Sequence, residues 1–224
     1  PTADGVVALA LDDGETVWSI GDVTGTGIPA TTDDGLVVPI ADGLAMLDAR
    51  DGSHRWVDTA DARFPAVSDG TVVTGGGQTV ALDAATGDRH WSVPEERSEF
   101  PVVTDGIVYL GTGDGLVARS LSDGSERWRI DRGRFLIPPV VTPESVYAVE
   151  RPGEAGDATF AFDRRDDSRP APQWCSAVGE GAVTAATDDD MLTVQAGGLV
   201  DLTADFGNAA WRGSGGPVVA GVSA

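Results

Sequence analysis

The chain has no lysine, one cysteine, one asparagine and two histidines among 224 residues. Each shortage excludes something. With Cys175 alone, no disulfide can form within the chain. Following Trp174 at a predicted strand end, Cys175 is expected to be a small packed residue. A catalytic thiol would want an imidazole partner, and His54 and His90 both sit next to tryptophans. No apolar run is long enough to span a membrane, and no stretch keeps an amphipathic helical period over three turns. The chain opens in mid-pattern at Pro1, with no leader-like segment, and reads as a fragment or a processed segment. No Gly-x-Ser-x-Gly elbow, His-Glu-x-x-His pair or Walker loop occurs. Gly111-Thr112-Gly113-Asp114-Gly115 is glycine-rich, but it joins two predicted strands, whereas a phosphate loop wants a following helix N-terminus.

What is abundant is acid. Twenty-seven Asp and nine Glu against fifteen Arg give a formal charge of −21. Self-repulsion of that size opposes a compact state unless salt screens it. The composition therefore predicts a halophilic source, with an ordinary acidic protein of a GC-rich genome as the alternative. It makes nucleic acid or an anionic membrane an unsuitable partner.

Six tryptophans, Trp18, Trp56, Trp91, Trp128, Trp174 and Trp211, are spaced by 38, 35, 37, 46 and 37 residues. This is a repeat protein. Glycine stands four positions before Trp in five units: Gly14, Gly52, Gly87, Gly124 and Gly207. An apolar residue, usually followed by Asp, lies further upstream: Leu11-Asp12, Leu47-Asp48, Leu82-Asp83, Leu121-Ser122, Phe162-Asp163 and Leu202-Thr203. Within a repeat the pattern is four short strands. In the clearest unit these are Pro101 to Thr104, Ile107 to Leu110, Leu116 to Leu121 and Glu126 to Ile130, with Asp105-Gly106 as a tight turn. First strands begin at Pro29, Pro65, Pro101, Pro139, about Gly181, and Pro217, where a proline costs no ladder donor.

Four antiparallel strands in about 37 residues, repeated, predict an all-β propeller whose blades bury their faces on one another. Blades are expected at 27–58, 63–95, 99–131, 137–175 and 180–212, with partial ones at 1–22 and 216–224. The two partial blades combine into a sixth, or the chain 1–224 belongs to a ring of seven or eight. The fourth full blade has long loops at Arg151 to Asp157 and Asp163 to Gln173, and lacks glycine before Trp174.

Leu82-Asp83-Ala84-Ala85-Thr86-Gly87-Asp88-Arg89-His90-Trp91 resembles the tryptophan-docking motif of the pyrroloquinoline-quinone-type propeller repeat. Asp48-Ala49-Arg50-Asp51-Gly52…Trp56 and Ser122-Asp123-Gly124…Trp128 are weaker copies. The resemblance implies one of two protein kinds: quinoprotein dehydrogenases, or cofactor-free scaffolds such as the lipoprotein of the outer-membrane barrel-assembly machine. It also implies an extracytoplasmic, cell-surface location. Physically, the indole can lie across the next blade, Gly takes a turn conformation that a Cβ penalises, and Asp can cap turn donors.

The dehydrogenases typically carry an adjacent-cysteine disulfide, a calcium held by oxygen ligands and an Asp base. This chain has no cysteine pair, its only Asn is Asn208, and Asp188-Asp189-Asp190 reads as a solvated hairpin turn rather than a calcium site. No catalytic, cofactor-binding or metal residue is assigned, and no cofactor is expected. The chain reads as a non-enzymatic scaffold for an unidentified protein partner. A dehydrogenase fragment and a propeller binding a small ligand or glycan in its channel are the alternatives. The candidate partner-binding face is the set of links from fourth to first strands. These place Arg63 beside Phe64, Arg97 near Phe100, and Arg132 and Arg134 beside Phe135. The structural alternative has the phenylalanines plugging blade junctions and the arginines pairing with Asp61, Glu96, Glu99 and Asp131.

Overall fold

In a computed structural model the described residues are 5–21, 23, 25–60, 62–95, 98–135, 137–151, 158–166, 171–177, 181–186, 190–195, 198–203 and 209–213. All regular structure among them is β. Sheet I has two strands, β1 (Val6–Leu9) and β2 (Thr16–Ile20). Sheet II contains β3 (Ala30–Thr31), β4 (Gly35–Ile40), β5 (Gly43–Asp48) and β6 (His54–Asp58). Sheet III contains β7 (Ala66–Ser68), β8 (Thr71–Thr74), β9 (Gln78–Asp83) and β10 (Arg89–Pro94). Sheet IV contains β11 (Glu99–Thr104), β12 (Ile107–Gly111), β13 (Leu116–Ser120) and β14 (Glu126–Ile130). Sheet V contains β15 (Val140–Val141), β16 (Ser145–Glu150), β17 (Ala158–Asp163) and β18 (Pro172–Ala177). Sheet VI contains β19 (Gly181–Ala186), β20 (Asp190–Gln195), β21 (Gly198–Thr203) and β22 (Ala209–Gly213).

Each four-stranded sheet is an antiparallel meander in chain order. The first strands adjoin across sheets: β3 touches β7, β7 touches β11, β11 touches β15 and β15 touches β19. The sheets therefore stack face to face with their first strands innermost. This explains why the middle strands are apolar at nearly every position instead of alternating. Strands β5 and β12 are buried along almost their whole length, whereas the outermost β6 and β10 alternate exposed and half-buried. A strand covered on both faces needs apolar side chains on both.

Among the described residues four cores lie between sheets. Val6, Trp18 and Ile20 meet Val38, Ala45 and Leu47 at junction I/II. Val37, Leu44 and Met46 meet Val72, Val80 and Leu82 at II/III. Val73, Ala81 and Trp91 meet Val108, Leu110 and Val117 at III/IV. Tyr109, Leu116 and Trp128 meet Val146, Phe160 and Phe162 at IV/V. Each fully buried Val, Leu or Phe contributes about 1.5–3 kcal/mol of transfer free energy.

The tight turn at Asp105-Gly106 has φ of 49° and 72°, the left-handed pair that matches the twist of a two-residue hairpin. Cys175 departs from expectation. It lies on β18, the outermost strand of its sheet, and is exposed rather than packed.

Turn carboxylates secure the bends between third and fourth strands. Asp83 Oδ1 accepts the amides of Ala85 at 2.9 Å and Thr86 at 2.8 Å. Asp48 accepts the Arg50 amide at 2.9 Å and Arg55 at 2.6 Å. The Thr86 amide, and for Asp48 the Arg50 amide and then Arg55, hold these carboxyls below their ordinary 3.8. A depressed folded pKa contributes stability that is present above the unfolded value and is lost as pH falls through the folded one. In molar salt, where overall repulsion is screened, the urea midpoint is expected to stay level above about pH 5 and to fall below about pH 4. A midpoint level down to pH 3 would show that these turns carry no such linkage.

Candidate functional site

The tryptophans come first, because they position everything else. Trp18 Nε1 donates to Ala49 O at 2.9 Å, Trp56 Nε1 to Ala84 O at 3.0 Å, and Trp91 Nε1 to Leu121 O at 2.7 Å. Each indole thus reaches the turn of the following sheet. It lies over that turn's glycine: a Cβ on Gly52 would come within 2.6 Å of the Trp18 ring, on Gly87 within 2.8 Å of Trp56, and on Gly124 within 2.7 Å of Trp91. These glycines also hold φ of 71° to 77°, so two independent constraints exclude a side chain. Gly14 has the same φ of 75°, but no atom of the described residues lies within 4 Å of the Cβ it lacks. Trp128 is buried, 6.0 Å from the Tyr109 ring. Trp174 and Trp211 lie on β18 and β22; their side chains, and Gly207, are outside the described residues.

The register corrects one alignment. Trp56, Trp91 and Trp128 stand opposite Met46, Ala81 and Ala118. By that measure the equivalents of Leu47 and Leu82 are Leu9 in sheet I and Arg119 in sheet IV, not Leu11 and Leu121. Sheet IV therefore carries a guanidinium where sheets II and III carry leucine. Arg119 is buried and donates through Nε to Glu95 Oε1 at 2.7 Å, with Nη2 also on that carboxylate. Arg119 Nη1 reaches Gly124 O at 3.1 Å. Arg129 Nη2 donates to both Glu95 oxygens at 3.0 Å, and its Nε to Glu126 at 3.0 Å.

At junction IV/V the turn without glycine uses Arg164 instead. Its Nε donates to Tyr109 Oη at 3.1 Å, Nη1 to Thr142 O at 3.0 Å and Nη2 to Asp105 at 2.5 Å. Since Asp105 is well exposed, Arg164→Ala is expected to cost about 1–2 kcal/mol, read as a lowered urea midpoint. The 163–173 segment thus contributes an inter-sheet clamp that its charge run alone did not reveal. Of the two long loops, 152–157 and 167–170 lie outside the described residues, as do 187–189 of the acidic hairpin.

The expected partner-binding residues separate into two groups. Phe135 is completely buried in the IV/V core and plugs the junction. Arg132 pairs with Glu150 at 2.9 Å, and its guanidinium lies 4.6 Å above the Phe160 ring. Phe135 thus belongs to the core, whereas Arg132 makes an inter-sheet pair with its side chain 49% exposed. Phe64 and Phe100 are half-buried and stack on each other with ring centroids 3.8 Å apart. Phe100 holds φ at 51°, a left-handed conformation that a bulky side chain rarely takes and that costs about 1–3 kcal/mol. Arg63 and Arg134 are exposed, and neither forms an ion pair among the described residues, whereas Arg55, Arg89, Arg119, Arg129, Arg132, Arg164 and Arg165 all do. Arg97 lies outside the described residues. A concavity of about 630 Å³ lies at junction II/III near the turns and is bordered by Asp33, Asp34, Asp69 and Asp83.

Stacked antiparallel four-stranded sheets with adjoining first strands, the first junctions stitched by the indoles of Trp18, Trp56 and Trp91, define a β-propeller of repeated blades. The family model described as outer membrane protein assembly factor BamB matches residues 3–212, and the chain belongs to that family. Among solved structures it is similar to BamB from Moraxella catarrhalis, with TM-score 0.77 and 17% identity, over 95% of this chain and 71% of that one. A europium-containing methanol dehydrogenase is similar with TM-score 0.68 and 14% identity, over 86% of this chain and 51% of that one. KlHsv2 with loop 6CD replaced by a Gly-Ser linker gives TM-score 0.67 and 10% identity, over 94% and 79%. At these identities the likeness is one of fold. No curated protein matches the chain. Among the described residues no helix is long and apolar enough to cross a membrane.

Proposed function

We propose that the chain is a non-catalytic propeller scaffold that binds a protein partner outside the cytoplasm, through the links that carry Arg63, Phe64, Phe100 and Arg134. The observation that carries this reading is the strained, half-buried Phe64–Phe100 stack. Strain at a surface aromatic needs a compensating role. Arg63 adjoins the stack in sequence, and Arg134 lies on the next link. Both are cations without an ion pair among the described residues, in a chain of net charge −21. An aromatic anchor with arginine nearby is the usual composition of a binding hot spot. Membership of the BamB family supports an assembly role in general. In molar salt the arginines lose reach, so the stack supplies most of the affinity.

Phe64→Ala/Phe100→Ala is expected to weaken partner binding at least about tenfold, while Arg63→Asp/Arg134→Asp weakens it most at low salt. Unchanged binding by the aromatic double variant, with an unchanged thermal midpoint, sinks the assignment. The dehydrogenase reading is favoured by one observation, the similarity to the methanol dehydrogenase fold. Saturable binding of quinone with calcium would support it.

A further inference from the structure

The strand register allows residues to be matched from sheet to sheet. One step beyond the residue facing each tryptophan, Leu47 faces His54, Leu82 faces Arg89, Arg119 faces Glu126 and Phe162 faces Pro172. At the end of the fourth strand, Asp58, Val93 and Ile130 occupy one equivalent position. Two residues further on, so do Ala60, Glu95 and Arg132.

The indole stitches are the same at junctions I/II, II/III and III/IV. The charges are not. At II/III, Asp58 accepts Arg89 Nε at 2.9 Å and Nη2 at 2.8 Å, while Ala60 and Leu82 share one apolar cluster. At III/IV, Glu95 and Arg119 stand in the places of Ala60 and Leu82 and form a buried ion pair that also binds Arg129. At IV/V the sign reverses: Arg132 stands in the place of Glu95 and pairs with Glu150, Phe162 takes the place of Arg119, and Arg164 adds its bond to Asp105. No two of these junctions carry the same pair at the same positions.

Mismatched sheets would therefore meet a penalty. Sheet II docked on sheet IV would set Asp58 against Glu126 and bury Arg119 beside Ala60 without a carboxylate. Sheet III on sheet V would bury Glu95 against Phe162. Sheet IV on sheet IV of a second copy would set Arg132 against Arg119. Burying an unpaired charge or opposing like charges is a means of rejecting wrong partners. A repeat chain has many near-identical wrong partners, and exchange between repeats is its characteristic misfolding route.

We propose that these inter-sheet ion pairs form an address code that fixes blade order, while the indole stitches supply generic adhesion. The code acts during folding and against exchange of blades between copies.

The test is refolding from urea in molar salt, read by light scattering on a sizing column and by the indole N–H resonances. The variant Glu95→Ala/Arg119→Leu gives junction III/IV the residues found at II/III. It is expected to be about as stable as the natural chain, because apolar residues replace the buried pair while Arg129 keeps Glu126 and Asp114. Its share of exchanged oligomers, or of chains with extra indole resonances, is expected to rise about tenfold. Refolding to the same single species in the same yield overturns the code. If that variant fails to refold, Asp58→Val/Arg89→His carries the test at the more exposed junction II/III. A rise in exchanged species supports the code, and a single monodisperse species overturns it.

Discussion

Replacing Glu95 alone by leucine is expected to lower stability by about 3–5 kcal/mol, among the largest effects of any single substitution in this chain. The side chains of Glu95 and Arg119 are only 3% and 7% exposed. Their attraction is set against the cost of taking both charges out of water, so the intact pair adds little net stability. Removing the carboxylate is different. Arg119 keeps only the Gly124 carbonyl and a long contact to Glu126 at 3.5 Å, and Arg129 loses its two bonds to Glu95. Two guanidiniums then remain with only the more exposed Glu126 and Asp114 as carboxylate partners. Urea unfolding of Glu95→Leu beside Glu95→Ala/Arg119→Leu measures the contrast. A loss below about 1 kcal/mol in the single variant would mean that water reaches this junction.

Gly87→Val is expected to cost about 2–5 kcal/mol. A β-branched residue at φ 77° is strained whatever its surroundings. Here the Cβ would also lie 2.8 Å from the Trp56 ring and push the indole off its bond to Ala84 O. The comparison with Gly14→Val isolates the second contribution, because Gly14 shares the φ but has open space where the side chain would go. Equal losses at both positions would show that the indole contact carries no cost. The indole fluorescence of Gly87→Val is expected to shift to the red as Trp56 becomes wet.

These two sites also show where sequence reading succeeded and where it stopped. The glycine four residues before tryptophan was legible because turn geometry and indole size impose residue types. That the indole crosses to the next blade was expected, but its seat was not legible: Gly87 does not serve Trp91 of its own repeat but seats Trp56 of the preceding one. Spacing along a chain reports period, not which faces meet. Arg119 was missed because Leu121 offered an apolar residue at a plausible distance. The fixed five-residue spacing to glycine, as in Leu47 to Gly52 and Leu82 to Gly87, was the signal that points to Arg119. Of the expected binding residues, Phe135 looks in sequence like Phe64: each follows an arginine in an equivalent link. Only packing separates them, since Phe135 enters the IV/V core while Phe64 stacks on Phe100 at the surface. The pairing of Arg132 with Glu150 was not legible either, because spacing does not show that the end of β16 meets this link.

The measurement that bears most directly on the scaffold reading is crosslinked affinity capture from a native membrane extract in molar salt, run in parallel with the natural chain and with Phe64→Ala/Phe100→Ala. One stoichiometric protein held by the natural chain and released by the variant is the predicted result. The same protein held equally by both, or saturable binding of quinone with calcium in place of any protein, would contradict it.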